Sequence, residues 1–236
     1  MTTEAIPFMA HLSELRNRLI KSLLAVGLMA VVAFAFHEQI IEFLAEPYLV
    51  ATGSELAYFR PTEAFSLVMK VALWGGVILA SPVILYQLWR FVAPALTPRE
   101  KKWVVPLIAV LVVLFIAGIT VGYLALERGL GFLLDFGGDT LAPVIGAQFY
   151  MSFAMRFLLA FGIAFEFPVF IFAAAAVGAV TSQQLRSSRR WAVVIILIVA
   201  AVITPSGDPL TLLMLATPMY VFYELTILAV RFLLKR

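Results

Sequence analysis

A chain of 236 residues that is 63% hydrophobic and 13% charged has more apolar side chain than one water-soluble core of its size buries, so it reads as a polytopic membrane protein. The absence of cysteine excludes disulfides and thiolate metal sites, and two histidines leave no ligand set for zinc or haem, so no metal and no cofactor is expected. The net charge of +3 matters through its placement, and no nucleic-acid partner is expected.

Residues 1–18 include Glu4, His11, Glu14, Arg16 and Arg18, too polar for a cleaved signal peptide, so the first apolar run is expected to remain as a span. Phe8, Leu12, Leu15 and Leu19 follow at steps of four, three and four, one apolar face of a helix expected to lie on the membrane surface ahead of that span. Glu14 and Arg18 are four apart and can pair on its polar side. A crossing needs about 20 apolar residues. Six candidate spans follow, at 19–36, 65–92, 103–126, 149–180, 191–203 and 210–234. No linker or low-complexity tract divides them, so the expected architecture is an all-α bundle forming one domain over 1–236. Segments 37–64, with Pro47 and Pro61, and 128–148, with Gly137, Gly138 and Pro143, are expected to be short amphipathic helices and turns on the outer face.

Orientation follows from the basic residues. One set of connections holds Arg16, Arg18 and Lys21, then Arg90, Arg99, Lys101 and Lys102, then Arg186, Arg189 and Arg190, then Arg231, Lys235 and Arg236. The other set holds Arg60 and Arg128, while Lys70 and Arg156 fall inside the second and fourth spans, toward their outer ends. Both termini are therefore expected to be cytoplasmic. The fifth span, 13 residues long, rises only roughly 20 Å. It either forms a tight hairpin with the sixth, turning over 204–209 beneath a locally thinned bilayer, or a re-entrant hairpin; the basic flanks fit both.

Glu166 is an acid deep inside the fourth span, with Pro168 two positions on. Charged groups at such depth cost about 2.5 to 3.5 kcal/mol, so the carboxyl is expected to face protein or water rather than lipid. Pro168 offers no N–H to the preceding turn, so a kink and a polar notch are expected there. Near the other end of the bundle, Thr97, Pro98 and Glu100 occupy the N-cap, N1 and N3 positions of a capping box, a structural task for Glu100. Glu14 and Glu100 are also carboxylates on a face otherwise rich in Lys and Arg, which suits a cationic ligand, arginine foremost. Trp89 and Phe91 would add apolar, cation-attracting surface. Asp208, followed by Pro209, reads as the N-cap of the last helix. Ser206-Gly207-Asp208 resembles the Gly-Asp of intramembrane aspartyl proteases, but that chemistry needs a second carboxylate sharing a proton, and Glu166 lies at a different depth. With no phosphate loop, no His-Glu-x-x-His and no Ser/His/Asp set, no enzyme is expected. The alternative is a proton-coupled secondary transporter with Glu166 as relay. It requires further ionisable partners at that depth, and Lys70 and Arg156 are the groups it has to work with.

His11-Leu-Ser-Glu-Leu-Arg-Asn-Arg-Leu19, Ser81-Pro-Val-Ile-Leu-Tyr-Gln-Leu-Trp-Arg-Phe91 with its continuation to Lys102, Phe161-Gly-Ile-Ala-Phe-Glu-Phe-Pro-Val169 and the turn over 204–209 together resemble the TatC family. Members are signal-peptide receptors of the twin-arginine translocase, which exports folded proteins using the proton-motive force. The resemblance covers essentially the whole chain in order. It implies six helices in the cell inner membrane, the last two short, with both ends cytoplasmic and the bundle concave like a cupped hand. It implies a signal-peptide site at Glu14, Arg16, Phe91 and Glu100, an intramembrane acid at Glu166, and outer-face positions at Pro47 and Asp208. Some relatives carry a glutamine shortly after the outer acid, where this chain has Leu212 with Thr211 beside it, so a partner-helix contact there would pass to Thr211. The implied partners are twin-arginine signal peptides of folded precursors, TatB and TatA subunits, membrane lipid, and further copies of the chain within a TatBC complex. The implied mechanism is recognition and assembly without bond chemistry.

Overall fold

The computed structural model describes residues 8–92, 104–135, 144–204 and 207–234. Among them the regular structure is helical, apart from one isolated bridge between Ala57 and Gly146. In chain order the helices are α1 (Phe8–Ala35), α2 (His37–Thr52), α3 (Pro61–Val92), α4 (Val104–Asp135), α5 (Ala147–Phe165), α6 (Phe167–Ala176), α7 (Ser182–Ser187), α8 (Arg189–Ile203) and α9 (Pro209–Ala229), the last continued by a π-helical turn, Val230–Leu234. Among the described residues, five stretches are long and apolar enough to cross a membrane: Leu12–Ala35, Pro61–Phe91, Leu107–Asp135, Ala147–Ala176 and Pro209–Leu234. The 15 residues of α8 rise about 22 Å, short of a bilayer core of about 30 Å.

Two expectations are corrected by helix continuity. The amphipathic segment around Glu14 is not a separate surface helix. With no proline in it and no glycine before Gly27, α1 runs unbroken for 28 residues, about 42 Å. Likewise α4 continues to Asp135, well past 126, because Leu126 and Leu130 remain buried against the bundle. Segment 37–64 does fold as expected into a helix and turn: α2 carries Pro47 inside it and stops at Gly53, whose φ of 65° ends the helix.

α5 is the hub. Tyr150, Met151, Met155, Phe157, Leu158 and Phe161 are all buried, and the helix packs on α2, α3, α4 and α9. Lipid gives apolar faces no reason to associate, so close backbone approach must hold such a pair together. Gly118 and Gly122 supply it on α4: a Cβ at Gly118 would stand 2.6 Å from the Phe161 carbonyl oxygen, and one at Gly122 would stand 2.9 Å from the Phe161 Cβ. α1 sits at the edge against α3, where a Cβ at Gly76 would meet the Ala30 backbone at 2.7 Å. Its Leu23, Leu24, Leu28 and Val31 stay exposed, as a lipid-facing side requires. α2 is pinned over the end of the bundle by Tyr150, whose hydroxyl donates to the Leu44 carbonyl at 2.8 Å, and by Tyr123, whose hydroxyl donates to the Phe43 carbonyl at 2.9 Å. The start of α1, the end of α3 and the end of α9 define one face of the bundle, called here the amino-terminal face; α2 caps the opposite face.

Candidate functional site

At the amino-terminal face, positions 14 and 18 stack one turn apart on α1. Arg18 Nε donates to Glu14 Oε1 at 3.0 Å, its Nη2 bonds the same oxygen, and its Nη1 reaches Gln87 Oε1 of α3 at 3.4 Å. Glu14 Oε2 accepts no hydrogen bond among the described residues. Phe91 follows Gln87 by one turn and is half-buried, so the α1–α3 contact carries Glu14 and Phe91 to the same end. Arg16 is exposed on α1. Glu100 and its capping box lie outside the described residues. Trp89 does not join this surface: it is buried with Leu85, Leu111, Phe115 and Val169, and its Nε1 has no partner among the described residues. Nearby on α3 the Arg90 guanidinium lies 5.8 Å from the Tyr86 ring centre, and its Nη1 donates to the Tyr86 hydroxyl at 2.8 Å.

Glu166 breaks the fourth apolar run into α5 and α6, as Pro168 requires. The break is closed tightly, with the Glu166 N–H donating to the Ile163 carbonyl and the Val169 N–H to the Glu166 carbonyl, both at 3.0 Å. The residue is only 3% exposed, and both carboxyl oxygens are buried without a partner among the described residues. It faces protein, as expected, but the expected polar notch is not there. Beside the break lies a cavity of about 290 Å3 walled by apolar groups such as Leu114, Pro168, Phe172 and Phe222. Thr226 adds a hydroxyl to that wall, and it donates to the Phe222 carbonyl.

Asp208 is the N-cap of α9, accepting the Thr211 N–H at 2.8 Å and the Thr211 hydroxyl as well. Both residues are buried, and Thr211 Cγ2 would lie 2.7 Å from a Cβ on Gly129. Thr211 therefore fills the α4–α9 seam. The polar group that α9 does leave exposed nearby is Thr217, in a shallow groove with Val121, Leu213 and Val221. Pro47 is buried between Leu44 and Tyr48 on α2.

The last span holds an acid that the hydropathy pattern passes over. Glu224 lies within α9, where its Oε2 accepts Arg189 Nη2 at 2.6 Å and its Oε1 accepts the Tyr220 hydroxyl at 3.2 Å. The Tyr223 hydroxyl donates to the Leu185 carbonyl at 2.7 Å, which fastens α7 to the same level. An acid inside an apolar run, one turn after a tyrosine and opposite the basic start of a short helix, was the available signal.

The family model described as Sec-independent protein translocase protein (TatC) matches residues 10–218. The TatC of Frankia casuarinae is 38% identical over 236 residues, covering 94% of this chain and 65% of that protein, so this chain spans less than two thirds of that relative. That of Carboxydothermus hydrogenoformans is 35% identical over 234 residues, covering 99% and 96%. That of Aquifex aeolicus is 38% identical over 226 residues, covering 94% and 93%. A crystal structure of the twin arginine translocase receptor TatC superposes with a TM-score of 0.80 at 38% identity, covering 96% of this chain and 100% of that one. The chain is thus a member of the TatC family, a polytopic membrane component of Sec-independent protein transport.

Proposed function

We propose that this chain is the signal-peptide receptor and core subunit of a twin-arginine translocase in the cell inner membrane, with both termini cytoplasmic. The observation that carries the reading is the TatC match over 10–218 together with the likeness to the solved receptor. In this orientation the amino-terminal face is the cytoplasmic one. Glu14, Arg16, Phe91 and Glu100 form the recognition site. Arg18 holds Glu14 by Oε1 alone, so Oε2 stays open to a guanidinium of the signal peptide. Phe91 adds apolar contact, and Glu100 takes the second arginine. The peptide's apolar segment then lies along the bundle, whose concave side receives it.

TatB and TatA helices dock near α8 and α9, with Thr217 and its groove a better-exposed contact than Thr211. Pro47 and Asp208 act through shape, keeping α2 and the turn before α9 in place. Glu166 links recognition to assembly by accepting a polar group from a partner, and further copies of the chain join within the TatBC complex. Folded precursors are then exported at the expense of the proton-motive force, with no bond chemistry in this subunit. A relay from Glu166 would need titratable partners at its depth, and both of its carboxyl oxygens lack a partner among the described residues.

The test is photo-cross-linking of a twin-arginine peptide to the purified protein, with a twin-lysine peptide as control. Glu100→Lys and Glu14→Lys are expected to weaken capture at least about tenfold, the scale of a lost charge-assisted hydrogen bond, while insertion is unchanged. Normal capture by Glu100→Lys would return that residue to helix capping. Solute uptake by the protein alone in liposomes would favour the transporter reading.

A further inference from the structure

At the opposite face, α3 and α5 leave between them a pocket of about 750 Å3 to which Arg60, Lys70 and Arg156 all contribute. None of the three has an ion-pair partner within 4.0 Å among the described residues. The one acid lining the pocket, Glu63, is turned to the backbone, accepting the Phe59 N–H at 2.9 Å. Lys70 and Arg156 each lie nine residues inside their helices, which begin at Pro61 and Ala147. That places both about 14 Å along the helix axis from the surface of that face. Unpaired cations at such depth are costly and persist where something neutralises them.

Arg156 is held in place, its Nε donating to the Ser152 carbonyl at 2.8 Å. On the α3 side the Ser66 hydroxyl bonds Gln148 Oε1 at 3.2 Å, tying the two walls together. Two exposed aromatics stand at the rim beside Arg60, Thr62 and Glu63: Phe149, which lines the pocket, is 73% exposed, and Phe59 is 63% exposed. A polar, cationic floor beneath an aromatic rim matches an amphiphile that carries a phosphate and acyl chains.

We propose that Arg60, Lys70 and Arg156 bind the phosphate of an anionic phospholipid from the leaflet at this face, its headgroup passing the aromatic rim and its acyl chains running on toward the bilayer centre. A soluble anion satisfies the cations but brings no acyl chains to hold it in the bilayer, and that difference separates the two sources. The test is native mass spectrometry of the purified full chain in detergent, titrated with phosphatidylglycerol. A retained lipid is expected, bound about fivefold more weakly after Lys70→Gln or Arg156→Gln, the factor that follows from about 1 kcal/mol per basic side chain. Lys70→Arg should keep it, and excess inorganic phosphate should not displace it. Equal retention by Lys70→Gln and Arg156→Gln, or displacement by inorganic phosphate, would overturn the proposal. Circular dichroism of each variant confirms that helix content is intact. If one variant loses helix content, the other two substitutions decide.

Discussion

Glu166 and Asp208 are two acids of similar burial, 3% and 7% exposed, in opposite chemical situations. Asp208 caps α9 and receives both the N–H and the hydroxyl of Thr211. Glu166 has surrendered its hydration and receives no hydrogen bond among the described residues. Replacing the satisfied acid, Asp208→Ala, should lower stability by about 0.5 to 2 kcal/mol. Replacing the unsatisfied one with an apolar residue of similar size, Glu166→Leu, should raise stability by about 1 to 3 kcal/mol. Thermal unfolding in detergent reads both signs. If Glu166 serves assembly, Glu166→Leu should gain stability and lose export together; wild-type export would remove it from the mechanism.

Between elements, the controlling feature is the glycine seam of α4 on α5. Gly118→Ala puts a methyl 2.6 Å from the Phe161 carbonyl oxygen, a backbone atom that cannot swing aside, so the helices must part. The expected loss is about 1 to 3 kcal/mol, the range for overpacking a close contact. Gly131→Ala on the same helix meets nothing within 4 Å. It should be neutral or stabilising by up to about 1 kcal/mol, because alanine is the better helix former. Unfolding midpoints of the two variants measured side by side check the seam; an equal response would show that α4 and α5 are not held by close approach. The seam matters to the candidate site because α5 ends at Glu166.

On the scale of the whole molecule, the bundle is thinner at one corner. The Arg189–Glu224 pair and the Leu185–Tyr223 bond put a polar floor under α8 and α9, and Asp208 caps the other end. From 208 to 224 the helix rises about 24 Å, against about 30 Å of hydrocarbon. Lipid should thin there rather than expose those groups to acyl chains. Water-accessible labels at Val193 and Leu197, exposed on α8, should therefore react as though nearer the surface than labels at matching turns of α3. Equal protection of the two helices would mean that α8 sits in bilayer of ordinary thickness.

The sequence by itself determined the helical class, five of its six expected spanning runs, the shortness of α8, the break at Glu166, the Asp208 cap and the Glu14–Arg18 pair. Each of these is set by spacing along a single helix or by one proline. It also carried the family resemblance, since the motifs occur in order. Only the tertiary structure decided that Trp89 turns inward, that Thr211 fills the α4–α9 seam, that Glu224 meets Arg189 and that Lys70 and Arg156 converge on one pocket. The physical reason is the solvent. In water an apolar stripe announces which face is buried, but in lipid every face of a span is apolar, so hydropathy carries no direction. Which faces meet is then settled by close backbone approach and by the few polar contacts that helices make with one another.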